Sequence, residues 1–115
     1  MMRKAPVFPS DKDSQVKAFI DAADLIERDG LAHHCMRVGN SYCALGALTV
    51  SINKTHCSRD EGWLWSGELP RMALSAPFLS GRGLVEWSDK SSKDEVVAGL
   101  RAIANAIEKG GWDNE

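Results

Sequence analysis

Thiol and imidazole side chains occur in two groups, His33-His34-Cys35 followed by Cys43, and His56-Cys57. These are the usual ligands of zinc, and a reversal of the chain between the groups could bring them to one ion. Their spacing is wrong for it. Structural zinc sites present ligand pairs roughly two to four residues apart, which neither the Cys35 to Cys43 interval nor the adjacent His56-Cys57 pair supplies. A metal held by His34, Cys35, Cys43, His56 and Cys57 is therefore the lesser expectation. No cofactor is expected, and the thiols read first as small buried apolar groups.

Cys43 has a second chemistry open to it, because it begins an apolar, helix-forming run and the backbone N–H groups of a helix start lower a thiol pKa. With His34 or His33 as base and Asp89 as orienting group, it would be a nucleophile of the thiol-hydrolase kind. The same position suits a Cys that packs at the start of a buried helix, the commoner fate of a free thiol in an apolar segment. Packing is the expected role, and a thiol- or zinc-dependent enzyme centred on Cys43 is the alternative.

The aromatic residues carry a different message. Four Trp residues, Trp63, Trp65, Trp87 and Trp112, are accompanied by Phe78 and by Arg59, Arg71 and Arg82. Trp87 precedes a strongly capped helix and reads as core. Trp63 and Trp65 lie in the polar, irregular stretch Thr55 to Pro70, where alternate spacing puts both indoles on one side of an extended chain. There they are either cover for the core or anchors of an interface with Arg59 at its rim. A Trp-lined pocket for a small ligand is a further reading. The loop Ser80-Gly81-Arg82-Gly83 lacks the Lys-Ser/Thr pair and the strand-to-helix setting of a phosphate-binding loop.

The elements that must position these residues follow from periodicity. Asn40 to Ile52 reads as a buried helix, with Ala44, Leu45, Leu48 and Ile52 on its main face and Gly46, Ala47, Thr49 and Ser51 keeping the other faces thin. Ser10 followed by Asp13 resembles a helix start, after which Val16, Phe19, Ile20, Ala23 and Ile26 mark one face up to Asp29-Gly30. Leu31 to Val38 alternates with period two, and Tyr42-Cys43 can pair back on it across Gly39-Asn40. Pro70 can open a short helix that Pro77 must stop or bend. Ser92-Lys93-Asp94-Glu95 is a capping box before Val96, Val97, Leu100, Ile103, Ala104 and Ile107, and Gly110-Gly111 ends that helix.

The expected fold is therefore mainly α. Three principal helices span Lys12 to Asp29, Cys43 to Lys54 and Ser92 to Lys109, a short fourth lies near Pro70 to Leu79, and a small β-hairpin sits between the first two. An α+β class is the alternative. At 115 residues the chain suits a single domain over 12–111, preceded by a flexible arm over 1–11 and followed by a tail over 112–115.

Composition narrows the function classes. A formal net charge of −2 with scattered Lys and Arg does not make the basic stripe of a nucleic-acid binder. No apolar run approaches the roughly 20 residues of a membrane span, and the basic N-terminus has no apolar segment behind it, so a cytoplasmic location is expected. What is left is a small non-enzymatic protein that acts by binding a host or cellular protein, in an oligomeric state the sequence leaves open.

Three pieces taken together resemble a family of small uncharacterised proteins of actinobacteria and bacteriophages. They are Leu25-Ile26-Glu27-Arg28-Asp29-Gly30, Tyr42-Cys43-Ala44-Leu45-Gly46-Ala47-Leu48, and Trp87-Ser88-Asp89 ahead of Ser92-Lys93-Asp94-Glu95-Val96-Val97. In that family a Gly-Trp closes the first helix, a Cys-x-x-Gly-Ala-Leu pattern follows, and Trp-Asn-Asp precedes a capped final helix. Here Leu31 replaces the Trp and Ser88 the Asn. With the near-neutral charge, the Trp-bearing loop and no catalytic constellation, a phage-encoded accessory factor directed at a host component, in the host cytoplasm, is the expectation. The resemblance itself implies only a compact helical fold and a phage or bacterial setting. It implies no activity, since the family has none established.

Overall fold

The computed structural model describes residues 8–32, 37–38, 41–53 and 69–112. In chain order they form α1 (Lys12–Asp29), β1 (Arg37–Val38), β2 (Ser41–Tyr42), α2 (Ala44–Asn53), α3 (Arg71–Leu74), a 3-10 turn (Pro77–Leu79), α4 (Leu84–Asp89) and α5 (Lys93–Lys109). The fold is mainly α, as periodicity predicts. The hairpin is two residues against two, antiparallel, with Arg37 opposite Tyr42 and Val38 opposite Ser41.

α1 starts one residue later than the Ser10 signal suggests. Asp11 is its cap, and a carboxylate oxygen accepts from the Ser14 N–H at 2.9 Å. A hydrogen bond from the Ser14 side chain, and then the one from its backbone N–H, hold this carboxyl below its ordinary pKa. Phe19, Ala22, Ala23 and Ile26 are fully buried, a stripe at i, i+3, i+4 and i+7. Ile20, expected on that face, is 41% exposed. One residue past Phe19 is a rotation of about 100°, which carries Ile20 off the stripe centred on Phe19 and Ile26.

Gly30 ends α1 with φ +103°. A side chain there would be strained, and its Cβ would stand 2.8 Å from the Ser41 Oγ. That Oγ donates to the Asp29 carbonyl at 2.9 Å, while Tyr42 N–H donates to the Gly30 carbonyl and Ala32 N–H to the Tyr42 carbonyl. The end of α1 is thereby tied to the strand leading into α2.

α1 packs chiefly on α5 and then on α2. α2 is buried from Ala44 to Val50, including Gly46 and Thr49, and the Thr49 hydroxyl donates to the Leu45 carbonyl at 2.8 Å. α5 buries Val96, Val97, Leu100, Ile103, Ala104 and Ile107, every position its sequence marks as apolar. The core begins ahead of α1, because Phe8 is buried with its ring 5.5 Å from that of Phe19, although it lies in the segment read as a flexible arm.

Two corrections concern residues 70–91. The short helix expected near Pro70 to Leu79 is interrupted ahead of Pro77, as that proline predicts: α3 ends at Leu74, Ala76 is extended, and a separate 3-10 turn follows where one helix was expected. The stretch after Gly83, assigned no element from sequence, forms α4, whose six residues are too few for periodicity to reveal and which lies against α2. Trp112, placed in the tail from sequence, folds back on the body: its indole N–H donates to the Met72 carbonyl at 3.0 Å.

Candidate functional site

The Cys43 side chain is 1% exposed and sits at the N-terminus of α2. Its sulfur accepts from the Gly46 N–H at 3.4 Å, which is the job of a helix cap. The next orphan donor, the Ala44 N–H, is taken by the hydroxyl oxygen of Ser88 in α4 at 3.1 Å, and Ser88 is itself fully buried. Two side chains 45 positions apart in sequence thus close one buried helix end. Ser88 thus carries a polar role through its hydroxyl.

This geometry bears directly on Cys43 as a nucleophile. Burial pushes its thiol pKa up, the backbone N–H groups of Gly46 and Leu45 pull against that only in part, and the negative charge of Asp89 adds to the rise. A helix start activates a thiol only where the thiolate is otherwise tolerated, and here desolvation wins. Cys43 is a neutral, enclosed thiol with a packing and capping function. Asp89 ends α4 near it, and His33 and His34, the bases proposed from sequence, lie outside the described residues.

Of the metal candidates only Cys43 is described; His34, Cys35, His56 and Cys57 lie outside the described residues. Among the described residues no three His, Cys, Asp or Glu side chains converge on a point that could hold an ion. The partner-binding candidates Trp63, Trp65 and Arg59 also lie outside them.

The described surface does carry a feature that sequence reasoning missed. An open groove of about 540 Å³ runs between α4 and α5, lined by Phe78, Arg82, Trp87, Lys90, Ser91 and Glu95 over a floor of Ala98, Gly99 and Ala102. Its wall is an aromatic row. The Trp87 ring lies 4.7 Å from Phe78, and Trp112 meets the Phe78 ring edge-on at 5.9 Å. Gly99 is what lets the row reach α5: a Cβ there would stand 2.5 Å from Trp87 Cη2 and 3.2 Å from Phe78 Cε1. Trp87 is core, as its sequence setting predicts, yet one edge of it borders the groove. Phe78 is half-buried.

Charges at the lip are not equivalent. Glu95 closes the capping box by accepting from the Ser92 N–H at 2.8 Å through one carboxylate oxygen, and its negative charge stays exposed at the lip. Lys90 approaches Glu86 only to 3.9 Å, with both side chains exposed. Arg82 donates from Nε to the Leu79 carbonyl at 3.0 Å, which orients the guanidinium, and among the described residues no carboxylate pairs with its terminal nitrogens. By contrast, the hollows along α1 are edged by charges that already satisfy one another. Lys17 pairs with Asp21 at 3.0 Å, and Arg101 with both Asp24 and Glu27 at 2.8 and 2.9 Å.

No protein-family model, no curated protein and no solved structure matches the chain.

Proposed function

We propose that this protein is a small non-enzymatic binding protein that acts through contact with another protein. The observation that supports it is the α4–α5 groove, with an aromatic wall and small-residue floor open to solvent beside an oriented guanidinium that no carboxylate pairs with among the described residues. Aromatic residues and Arg are the side chains that concentrate energy in protein interfaces. The enzyme reading loses its centre, because Cys43 caps a buried helix. Trp63 and Trp65, with Arg59 at the rim, are a second set of anchors assigned on composition and spacing. The resemblance set out above supports only a phage or bacterial setting, and within it the binding role makes the protein a phage-encoded accessory factor directed at a host component. A small-ligand site in the same groove is the competing reading, favoured by the Trp87 edge at its wall.

The test is reconstitution with a purified partner recovered from cells of the source. Ala98→Trp fills the groove floor from an exposed position, and Trp63→Ala/Trp65→Ala removes the other anchors. The expected result is that Ala98→Trp melts like the wild type and loses most of its partner binding. The double variant should weaken binding by about 2 kcal/mol or more without a change in melting temperature. Undiminished binding by both variants overturns the proposal.

A further inference from the structure

We infer that Trp112 is a strap that holds α3 and the 3-10 turn on the body of the fold, so that residues 70–82 form a unit that opens by itself when the strap lifts. Neither piece is stable alone. α3 has four residues and no side chain caps its start, the 3-10 turn has three, and helices this short are unstable in water without contacts from outside. Their backbone hydrogen bonds close locally: Leu74 N–H donates to the Pro70 carbonyl, Ser75 N–H to Arg71, Leu79 N–H to Ala76 and Ser80 N–H to Pro77. Those bonds tie the segment to itself and not to the core. Ala73, Ala76 and Leu79 are buried, but two of the three are alanines with little apolar area to contribute.

Trp112 supplies a tie at two points. Its indole N–H donates at 3.0 Å to the Met72 carbonyl, one of the last carbonyls of α3, which have no donor inside the helix. Its ring meets that of Phe78, in the 3-10 turn, edge-on at 5.9 Å. One side chain therefore grips the pieces on both sides of the break ahead of Pro77. The link behind it aims the indole without adding to its hold. Gly110 takes φ +89°, its N–H donates to the Ile107 carbonyl and the Gly111 N–H to the Ala106 carbonyl, which turns the chain back at the end of α5. A Cβ at Gly110 or Gly111 would meet nothing within 4 Å. Phe78 also lies 4.7 Å from Trp87 and walls the α4–α5 groove, so lifting the strap frees one wall of that groove, whatever the groove binds.

Native-state hydrogen exchange, followed amide by amide by NMR, compares the full chain with Trp112→Ala and Trp112→Phe. In Trp112→Ala the amides of Leu74, Ser75, Leu79 and Ser80 are expected to exchange roughly tenfold faster or more, while those of α1, α2 and residues 97–104 stay within about twofold of the wild type. Trp112→Phe keeps a ring against Phe78 and loses the N–H, so the same four amides should speed up by roughly threefold. A rise shared by all amides, or loss of the fold, would make Trp112 ordinary core packing and overturn the inference. No rise in Trp112→Ala overturns it as well, and a Trp112→Phe chain that exchanges like the wild type overturns the grip on α3.

Discussion

The starts of α2 and α5 face the same problem, four backbone N–H groups without partners in the helix, and solve it in opposite ways. At α5, Ser92 accepts from the Glu95 N–H at 3.2 Å and Glu95 accepts from the Ser92 N–H at 2.8 Å, in solvent and within four consecutive residues. At α2 the donors are enclosed. One is met by a sulfur and another by a hydroxyl that arrives from α4, 44 residues further along the chain. A local closure costs nothing to assemble beyond the helix itself. A remote one makes the helix start conditional on the docking of another element, and it lets the end be buried where water could not have satisfied it.

The comparison is sharpened first by removing packing instead of caps. Leu48 in α2 and Leu100 in α5 are both fully buried. Replacing either with Ala is expected to cost about 2 to 5 kcal/mol in denaturant melts, since each leaves a cavity in the one cluster of buried residues. Equal losses would show that the two helices differ in their ends and not in their bodies. A loss below roughly 0.5 kcal/mol at either site would refute the placement of that helix.

The caps themselves are compared by Ser88→Ala and Ser92→Ala. The first leaves the buried Ala44 N–H without an acceptor and is expected to cost about 1 to 3 kcal/mol. The second exposes its orphan donor to water and is expected to cost about 1 kcal/mol. Reversal of that order, measured by the same melts, would mean that the α2 end is wetter than the structure shows.

The smallest effect is expected at Cys43. Cys43→Ser keeps an acceptor for the Gly46 N–H while placing a hydroxyl in an apolar site, so stability should fall by no more than about 1 kcal/mol. Because the folded thiol is held above its ordinary pKa, the native state keeps a proton that the unfolded chain releases. The stability tied to that proton is intact below the ordinary thiol pKa and is lost as pH rises from there toward the raised value. Melts of wild type and Cys43→Ser across the alkaline range should therefore converge. Alkylation of Cys43 in the native state near neutral pH should run no faster than opening of the fold; rapid labelling would restore the nucleophile.

What could be read from sequence divides along the same line. The capping box of α5, the Gly30 stop of α1 and the apolar faces at Phe19 to Ile26 and Val96 to Ile107 are written within a few residues and were legible. Cys43 in a packing role was legible too, because its apolar neighbours speak for it. Ile20 was misplaced because a stripe of five apolar residues fits two helical phases, and only the neighbouring helices choose between them. The groove was not legible. Arg82, Trp87 and Gly99 come from a loop and two helices, and the fact that joins them, a ring lying where a Cβ cannot, has no signature in any one segment. Ser88 was noticed only as a departure from a pattern, and its hydroxyl has a purpose only once α4 lies against α2.

The Ser88 to Ala44 hydrogen bond also makes a clock of one amide. In an ordinary helix the first N–H groups exchange with solvent hydrogen almost freely, because they have no helical partner to protect them. The Ala44 proton is held by a group on α4, so it can leave only when α4 lifts away or the whole core opens. Its exchange rate therefore reports the separation of α2 from α4, at a position where the backbone of α2 by itself would have protected nothing.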